Sequence, residues 1–362
     1  MINPIKRQSV AAQICDAIRQ ELLRGRWNDW LPGERHLGEQ MQVSRTTIRL
    51  ALAQLKKEGL IQSVHGRGTR ALQHPSPPTL AIKDAHVAML LPGPLEQMRP
   101  TQTLWIDELR SMLGERGHCL HIFHGNNYFS LRPGRALAKL TRRYPHSCWV
   151  LVNCHAAMQR WFFVNQVPSI VAGTPIPGIE LPFVDIDHAA LCRHAVGRVL
   201  AIGHRNVAFL IRQSGQGGDN ESERGFLEGI AQVGPVRPTM QILHHRDTAD
   251  HVDTIIRRTM SQRHRPTAIL VAHPQYYLTV ISRLAQLRLR VPGDVSVVSR
   301  DDDYYLSFLR PAPTRYYVQP LTLARHRLRA VLDLIENNGL AHTHKIIIPE
   351  FIPGGTLTPP AK

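Results

Sequence analysis

Two arginines and a threonine stand near the start of one short amphipathic segment, and side chains of these types can bind nucleic acid. Arg45, Thr46 and Arg49 lie off the apolar face of a segment that runs from residue 44 to about residue 57. Arginine pairs with guanine edges in the major groove, and threonine reaches a phosphate or a thymine methyl group. The spacing therefore favours a recognition helix, although an ordinary solvated amphipathic helix would show the same pattern.

The residues around these side chains predict a well-defined helix. Ser44 is suited to cap its first free amides. Val43 and Ile48 occupy the two positions of a hydrophobic staple. Ile48, Leu52 and Leu55 recur at helical spacing and should share one buried face. The arginines are thereby directed away from the core.

The flanking segments complete a small domain. Upstream, apolar residues at helical spacing predict a first helix: Val10, Ile14, Ala17, Ile18 and Leu22. Downstream, residues 60–64 and 69–72 read as two strands around the turn 65–68, where glycines permit a tight reversal and Arg67 lies at the tip. Three helices followed by a hairpin predict a winged helix, whose tip arginine can enter a minor groove.

Four motifs in this region resemble the winged helix-turn-helix of GntR-family transcriptional regulators. They are LPGER at 31–35, VSRTTIRLAL at 43–52, LKKEGLI at 55–61 and GRGT at 66–69. Gly33 departs from the serine that is usual in the first motif. Combined with the helix pattern, the resemblance implies this set of DNA-binding residues: Arg35, Ser44, Arg45, Thr46, Thr47, Arg49, Gly66 and Arg67.

Composition agrees with a soluble nucleic-acid-binding protein of more than one domain. The chain has 362 residues, 43% of them hydrophobic and 20% charged, which is typical of a globular protein with a sizeable core. The net charge of +16 favours a polyanionic partner. We predict a DNA-binding domain at 1–74, a Pro-rich linker at 75–84 and an effector-binding and dimerisation domain at 85–362.

The sequence offers no catalytic centre, metal site or membrane segment. The five cysteines are scattered without metal-binding spacing, so they read as buried thiols of a reducing compartment. The twenty histidines show no ligand pattern, and no apolar run approaches the roughly 20 residues of a membrane span. We expect a cytoplasmic protein with no cofactor.

Beyond the linker, apolar runs alternate with helical stripes. The predicted strands are 87–91, 120–123, 149–152, 169–171, 207–211, 268–271 and 295–298. The predicted helices are 104–116, 135–144, 189–202, 221–233, 249–263 and 276–287. This alternation predicts an α/β fold of doubly wound parallel sheets. About 280 residues exceed one comfortable core, so two lobes with a ligand cleft between them are expected.

Several segments resemble the effector domain of LacI-family repressors, which has the fold of periplasmic sugar-binding proteins. They include residues 184–210, ESERGFLEGI at 221–230, RPTAILVAHP at 265–274 and residues 291–316. The resemblance implies that Arg224, His273 and Asp301 bind the effector. These residue types suit a polyol, because a carboxylate accepts from hydroxyl groups and a guanidinium donates in a fixed fork.

The chain departs from that family within the cleft motifs. His273 and Pro274 replace the usual Asn-Asp, and Arg300 replaces an aromatic residue before Asp301. The extra cation is consistent with an anionic or phosphorylated effector, or with a surface ion pair to a neighbouring aspartate. The glycine-rich loop 214–219 reads either as a phosphate-binding loop or as a rim of the cleft.

The function favoured by these patterns is a transcription regulator that binds double-stranded operator DNA, as a homodimer, under control of a sugar-like effector. The alternative is a winged helix fused to a pyridoxal-phosphate aminotransferase-like enzyme. That chemistry needs a Schiff-base lysine, and the lysines beyond the linker are Lys83, Lys139, Lys345 and Lys362. Their positions near segment ends or in a helix of the first lobe disfavour the enzyme.

Overall fold

The computed structural model describes residues 11, 14–15, 17–18, 30–41, 43–57, 60–64, 67–71, 85–231, 238–337 and 343–361. The chain divides into two compact units, Met1–Ile82 and Lys83–Lys362. The predicted linker at 75–84 lies outside the described residues, as does Gly66 of the predicted wing. Within the described ranges, no helix is long and apolar enough to span a membrane.

The first unit contains a helix–turn–helix followed by a β-hairpin. Its helices are α1 (Glu34–Gln40) and α2 (Arg45–Lys57), and its strands are β1 (Ile61–Val64) and β2 (Gly68–Ala71). The described residues between 11 and 18 are also helical. The predicted winged helix-turn-helix is therefore confirmed.

The apolar stripe of α2 forms the centre of this unit. Ile48, Leu52 and Leu55 are buried, as their spacing predicts. They share a core with Ile18 of the preceding helical segment and Leu37 of α1. Because these contacts take up one side of α2, its polar side is left free to face a partner.

The hairpin is held by backbone pairing and by one glycine. Val64 pairs with Gly68 across the turn, and Gly68 has a φ of +108°, which residues with a side chain rarely adopt. Leu31 donates its amide to the carbonyl of Thr69 at 2.9 Å. The segment before α1 therefore attaches the hairpin to the helices, with Arg67 exposed in the turn.

The second unit contains two six-stranded sheets, each the centre of one lobe. The sheet of lobe 1 has the order β13-β7-β6-β5-β3-β4, and its neighbours are all parallel. Its strands are β3 (His86–Leu91), β4 (Cys119–His124), β5 (Cys148–Val152), β6 (Ser169–Ala172), β7 (Phe183–Ile186) and β13 (His344–Ile347).

The sheet of lobe 2 has the order β14-β12-β11-β10-β8-β9. Its strands are β8 (Asn206–Arg212), β9 (Thr239–His245), β10 (Ala268–Val271), β11 (Ser296–Ser299), β12 (Thr314–Tyr317) and β14 (Glu350–Ile352). The strands run parallel except for β14, which pairs antiparallel with β12 at the edge.

Helices cover both faces of each sheet. Lobe 1 carries α3 (Pro100–Gly114), α4 (Gly134–Arg143), α5 (Ala156–Val164) and α10 (Pro320–Glu336). Lobe 2 carries α6 (His188–Ala201), α7 (Gly217–Ala231), α8 (Ala249–Met260) and α9 (Pro274–Gln286). In β3, Val87 and Met89 pack toward α3 and α10, whereas Ala88 and Leu90 pack toward α4 and α5. The predicted doubly wound α/β fold is confirmed.

The chain passes between the lobes three times. The crossings follow β7, β12 and β13, and they lead to α6, α10 and β14 respectively. Three adjacent connections allow two rigid lobes to open and close about a short hinge. The ends of the parallel strands face the space between the lobes.

The α6–α7 contact in lobe 2 depends on glycine. A Cβ added at Gly225 would lie 2.2 Å from the carbonyl oxygen of Ala189. We expect Gly225→Ala to lower the free energy of unfolding by about 1–3 kcal/mol, because the two helices must move apart. Urea denaturation measures the change.

Gly197 provides the matched control on α6, since an added Cβ there meets no atom within 4 Å. Gly197→Ala should be neutral or stabilising by up to about 1 kcal/mol, because alanine favours a helix over glycine. Equal effects of the two substitutions would show that the close contact does not exist.

Candidate functional site

The exposed side of α2 presents two arginines beside one carboxylate. The side chains of Arg45 and Arg49 are 65% and 62% exposed. Both donate to Glu34 of α1, at 3.4 Å and 2.8 Å respectively. Exposed ion pairs of this kind contribute little to stability. Both guanidinium groups can therefore exchange Glu34 for a phosphate or a base edge.

The other predicted DNA-binding residues surround these arginines in the first unit. Ser44 caps α2 as predicted, since its hydroxyl accepts from the amide of Thr47 at 3.2 Å. The hydroxyl of Thr47 also lies 2.7 Å from that of Ser44, so it is engaged in the cap. Thr46 and Arg67 are exposed. Arg35 is 88% exposed and pairs with Glu39 of its own helix.

A polar cleft lies between the two lobes of the second unit. Its volume is about 310 Å³, at the lower end of the range for small-molecule sites. Most of its lining residues stand at or just after the carboxyl ends of strands, where doubly wound sheets bind ligands. The charged or ionisable ones are Arg99, Asp185, His188, Arg212, Asp219, Asp247, His273, Arg300, Asp301 and Arg327.

Six of these residues form an alternating chain of carboxylates and guanidinium groups, which we call the Arg–Asp chain. Its members, in order, are Asp247, Arg212, Asp219, Arg300, Asp301 and Arg99. In lobe 2, Arg212 lies 2.9 Å from Asp247 and 3.8 Å from Asp219. Asp219 lies in the first turn of α7, and it accepts from Arg300 at 3.0 Å.

The Arg–Asp chain continues across the cleft. Arg300 also lies 3.3 Å from Asp301, and Asp301 accepts from Arg99 of lobe 1 at 3.0 Å. The Arg300 side chain is only 4% exposed, so its ion pairs are buried in the cleft and do not lie on the protein surface. One uninterrupted line of opposite charges thus joins the two lobes.

In the Arg–Asp chain, burial raises the pKa of the carboxyl groups and the neighbouring guanidinium groups lower it, and the guanidinium groups together have the larger effect. Burial by itself would raise the pKa of Asp301, but the guanidinium groups of Arg300 and Arg99 hold that pKa well below its ordinary value. Burial would likewise raise the pKa of Asp219, and the guanidinium groups of Arg300 and Arg212, with the hydroxyl of Ser214, hold it low. Both carboxyl groups are therefore ionised at neutral pH and accept hydrogen bonds only.

His273 lies in the cleft as a neutral ring. It follows β10, and its Nε2 lies 3.5 Å from Asp219. Burial lowers its pKa to about 3 despite the nearby carboxylate. The Nδ1 atom has no hydrogen-bond partner among the described residues, so it can meet a ligand. The resemblance therefore pointed to two side chains of the cleft, His273 and Asp301.

The prediction that Arg224 binds the effector is corrected by the structure. Arg224 lies on the outer side of α7, 51% exposed and paired with Glu221 and Glu228. The buried side of the same helix carries Ser222, whose hydroxyl accepts from Arg300 at 2.9 Å. Arg300 thus supplies the guanidinium that Arg224 was expected to provide.

The lobes also touch through hydrogen bonds outside the Arg–Asp chain. Thr101 of lobe 1 donates its amide to Asp303 of lobe 2 at 2.8 Å. The side-chain amide of Gln216 donates to the carbonyl of Asn153 at 3.0 Å. These contacts make the loop 214–219 part of the rim of the cleft, one of the two roles that the sequence left open.

Arg99, Arg212, Asp219 and Asp247 were not singled out from the sequence. Arg212 is the last residue of β8, and Asp247 follows β9. A position at the carboxyl end of a strand could therefore have identified both as cleft residues, but β9 itself was not predicted from the sequence. Among the described residues, no group of three or more histidine, cysteine or acidic side chains could hold a metal ion.

Comparison with known sequences separates the chain into the same two parts. Residues 10–70 match the bacterial regulatory proteins of the gntR family. Residues 196–357 match the periplasmic binding protein-like domain. The chain thus joins a region that matches gntR-family regulatory proteins to a region that matches a periplasmic binding protein-like domain.

Two relatives of described function match the chain over about three quarters of their length. The chain is 22% identical to an arabinose metabolism transcriptional repressor of Halalkalibacterium halodurans, over 75% of this chain and 74% of the relative. It is 24% identical to a repressor of the same description from Geobacillus stearothermophilus, over 75% and 76%. A regulator MalR of Staphylococcus xylosus is matched over 53% of its length, at 18% identity.

Solved structures support the fold of the second unit. A LacI transcriptional regulator from Bacillus cereus subsp. cytotoxis superposes with a TM-score of 0.68 at 19% identity, over 75% of this chain and 98% of that one. At this identity the likeness establishes the fold. The aminotransferase-like alternative required a different fold in this region.

The cleft of this periplasmic binding protein-like domain has the chemistry of a polyol receptor. Ionised carboxylates accept hydrogen bonds from hydroxyl groups, and guanidinium groups donate to ring and hydroxyl oxygens. Because these groups are buried, a ligand that leaves one of them unpaired is strongly disfavoured. The site therefore suits a small, heavily hydroxylated molecule.

The buried state of His273 generates a prediction for pH dependence. The unfolded chain binds a proton on this ring near pH 6.5, whereas the folded protein does so only near pH 3. Its contribution to stability is complete above pH 6.5 and is lost as the pH falls. We expect His273→Gln to flatten the fall between about pH 6.5 and pH 5 by up to about 1.4 kcal/mol per pH unit.

Urea unfolding at several pH values measures this slope. His264→Gln is the control, since His264 is exposed on the surface of lobe 2. If His273→Gln and the control follow the pH dependence of the unsubstituted protein equally, His273 is not held neutral by the fold.

Proposed function

We propose that this protein is a sequence-specific transcription regulator whose affinity for operator DNA is set by a sugar or sugar derivative bound between the two lobes. The observation that carries the proposal is the presence, in one chain, of an arginine-bearing winged helix and a closable polar cleft. Each part has one physical task. The winged helix binds the polyanion, and the cleft senses the small molecule.

The DNA-binding role rests on the exposed side of α2. Arg45 and Arg49 stand within the first two turns of this helix, the part that reaches base edges when a helix enters a major groove. Arg35 and the hairpin residue Arg67 would contact phosphates or the minor groove beside it. The net charge of +16 adds long-range attraction to DNA.

The sugar-like effector rests on the polarity and size of the cleft and on the named relatives. The cleft of about 310 Å³ matches a molecule of one or two sugar units rather than a long chain. Two of the relatives regulate arabinose metabolism, according to their descriptions. The ionised carboxylates and guanidinium groups are the partners that a polyol needs.

Control of DNA binding would follow from movement of the lobes in a dimer. Two copies of the chain would place two winged helices on a two-fold symmetric operator. An effector that binds one arrangement of the lobes better than another shifts the population toward it. The separation of the two winged helices, and hence their fit to the operator, would then change. None of the five cysteines, all of which lie within the described residues, forms a disulfide, in keeping with a cytoplasmic regulator.

Substitution of the two exposed arginines tests the DNA-binding role. We expect Arg45→Ala and Arg49→Ala each to weaken binding to an operator, selected from a random DNA pool, by about 1–3 kcal/mol per half-site that loses a base contact. Fluorescence anisotropy with labelled duplexes gives the dissociation constants.

Arg110→Ala is the control for charge alone. Arg110 is a partly exposed arginine of lobe 1, with a side chain that is 47% exposed, so its loss removes the same charge without touching α2. If neither Arg45→Ala nor Arg49→Ala weakens operator binding more than Arg110→Ala does, α2 is not a recognition helix.

A further inference from the structure

One arginine of the cleft has no carboxylate within ion-pair distance among the described residues. Arg327 of α10 is only 4% exposed, and it lines the cleft with Leu323, one turn earlier on the same helix. Its guanidinium carbon lies 4.0 Å from the centre of the Trp105 ring. The indole fixes the guanidinium by a cation–π contact and leaves its hydrogen-bond donors for another partner.

Two nitrogen donors of Arg327, Nε and Nη1, are buried and have no hydrogen-bond partner among the described residues. The carboxylate that acts on it electrostatically is Asp185, which is already engaged. Asp185 lies 3.3 Å from the Nε2 atom of His188 and accepts from the hydroxyl of Thr174.

Burying a guanidinium without an ion-pair or hydrogen-bond partner costs free energy. Among the described residues, no carboxylate forms an ion pair with Arg327 that would offset this cost. Burial lowers the pKa of Arg327 to about 10, whereas burial of Arg300 is outweighed by Asp301 and Asp219, which raise its pKa. The contrast is between an arginine paired within the protein and one that is not. A guanidinium in the second situation fits a ligand that brings its own negative charge.

Three of the four carboxylates that line the cleft do not oppose such a ligand, and the fourth, Asp185, is held by His188 and Thr174. Asp219, Asp247 and Asp301 are each paired with at least one guanidinium of the Arg–Asp chain. Five further buried atoms of the cleft have no partner among the described residues: Nδ1 of His188 and His273, Nε of Arg212 and Arg300, and Oε1 of Gln275. These can bind hydroxyl groups while Arg327 binds an anion.

We propose that the natural effector is an anionic polyol, a sugar carrying a carboxylate or a phosphate group, whose anionic group is bound by Arg327. The proposal rests on the proposed function, because it names the ligand class of the same cleft. Leu323 and Trp105 exclude water on one side of the anion. The Arg–Asp chain contacts the hydroxylated part of the molecule.

Isothermal titration of the full-length protein with matched sugars tests this inference. The probes are D-glucose, D-gluconate and D-glucose 6-phosphate, with the corresponding sets for arabinose, ribose and galactose. We expect an anionic member to bind at least about tenfold more tightly than its neutral parent, since every 1.4 kcal/mol is a factor of ten. The two anionic arms distinguish a carboxylate from a phosphate.

Two variants of α10 locate the effect. Arg327→Met should remove the preference for the anion, because it lowers the affinity for the anionic member at least about tenfold more than that for the neutral parent. Arg329→Met is the matched control, because Arg329 is an exposed arginine of the same helix, and it should keep the preference. Inorganic phosphate should raise the melting temperature of the unsubstituted protein and of Arg329→Met, but not that of Arg327→Met.

The inference is overturned if the neutral sugars bind as tightly as their anionic partners, if no anionic member binds at millimolar concentration, or if Arg327→Met keeps the preference. If a neutral sugar binds as tightly as its anionic partners and alters operator affinity, the proposed regulatory function is kept and only the inference of an anionic effector is rejected. Loss of the DNA-binding role is detected separately by the α2 variants.

Discussion

The alternation of aspartate and arginine across the cleft is the interaction on which the second unit depends. Each buried charge in this chain would be costly alone, and each is stabilised by the next. The link from Asp301 to Arg99 at 3.0 Å is the one that passes from lobe 2 to lobe 1. Closure of the lobes therefore forms the ion pair between Arg99 and Asp301. A ligand that competes for these groups necessarily acts on the position of the lobes.

Steric contacts make the closed arrangement sharply defined. A Cβ added at Gly217, the first residue of α7, would lie 2.4 Å from the carbonyl oxygen of Thr174 in lobe 1. A Cβ at Gly218 would lie 2.8 Å from His188. The glycine-rich loop thus permits α7 to approach the opposite lobe. It brings Asp219 into the Arg–Asp chain, and small changes in the cleft are passed to a whole helix.

The sequence predicted the strands that consist of a continuous run of apolar residues. Of the seven strands predicted from apolar runs, six are largely buried and β4 is only partly buried, whereas β13 was missed because His344 and Lys345 are exposed. The helices α5 and α10 were also missed, although α10 buries one side at helical spacing. In the cleft, Asp301 and His273 could be named from motifs, but Arg224 could not be told from its buried neighbour Ser222 without the rotation of α7. The pairing of Arg300 with Asp219 joins positions 81 residues apart, which no local pattern reveals.

A crosslink across the cleft tests most directly whether closure governs DNA binding. Thr101 and Asp303 face each other across the lobes, with the Thr101 amide 2.8 Å from the Asp303 carboxylate. In a Cys119→Ser background, Thr101→Cys with Asp303→Cys can be bridged by a short bis-methanethiosulfonate, which forms a disulfide with each cysteine and releases methanesulfinate. The account predicts that bridging changes the operator dissociation constant at least about tenfold relative to the unbridged protein and to each single cysteine variant. Equal constants before and after bridging would contradict it.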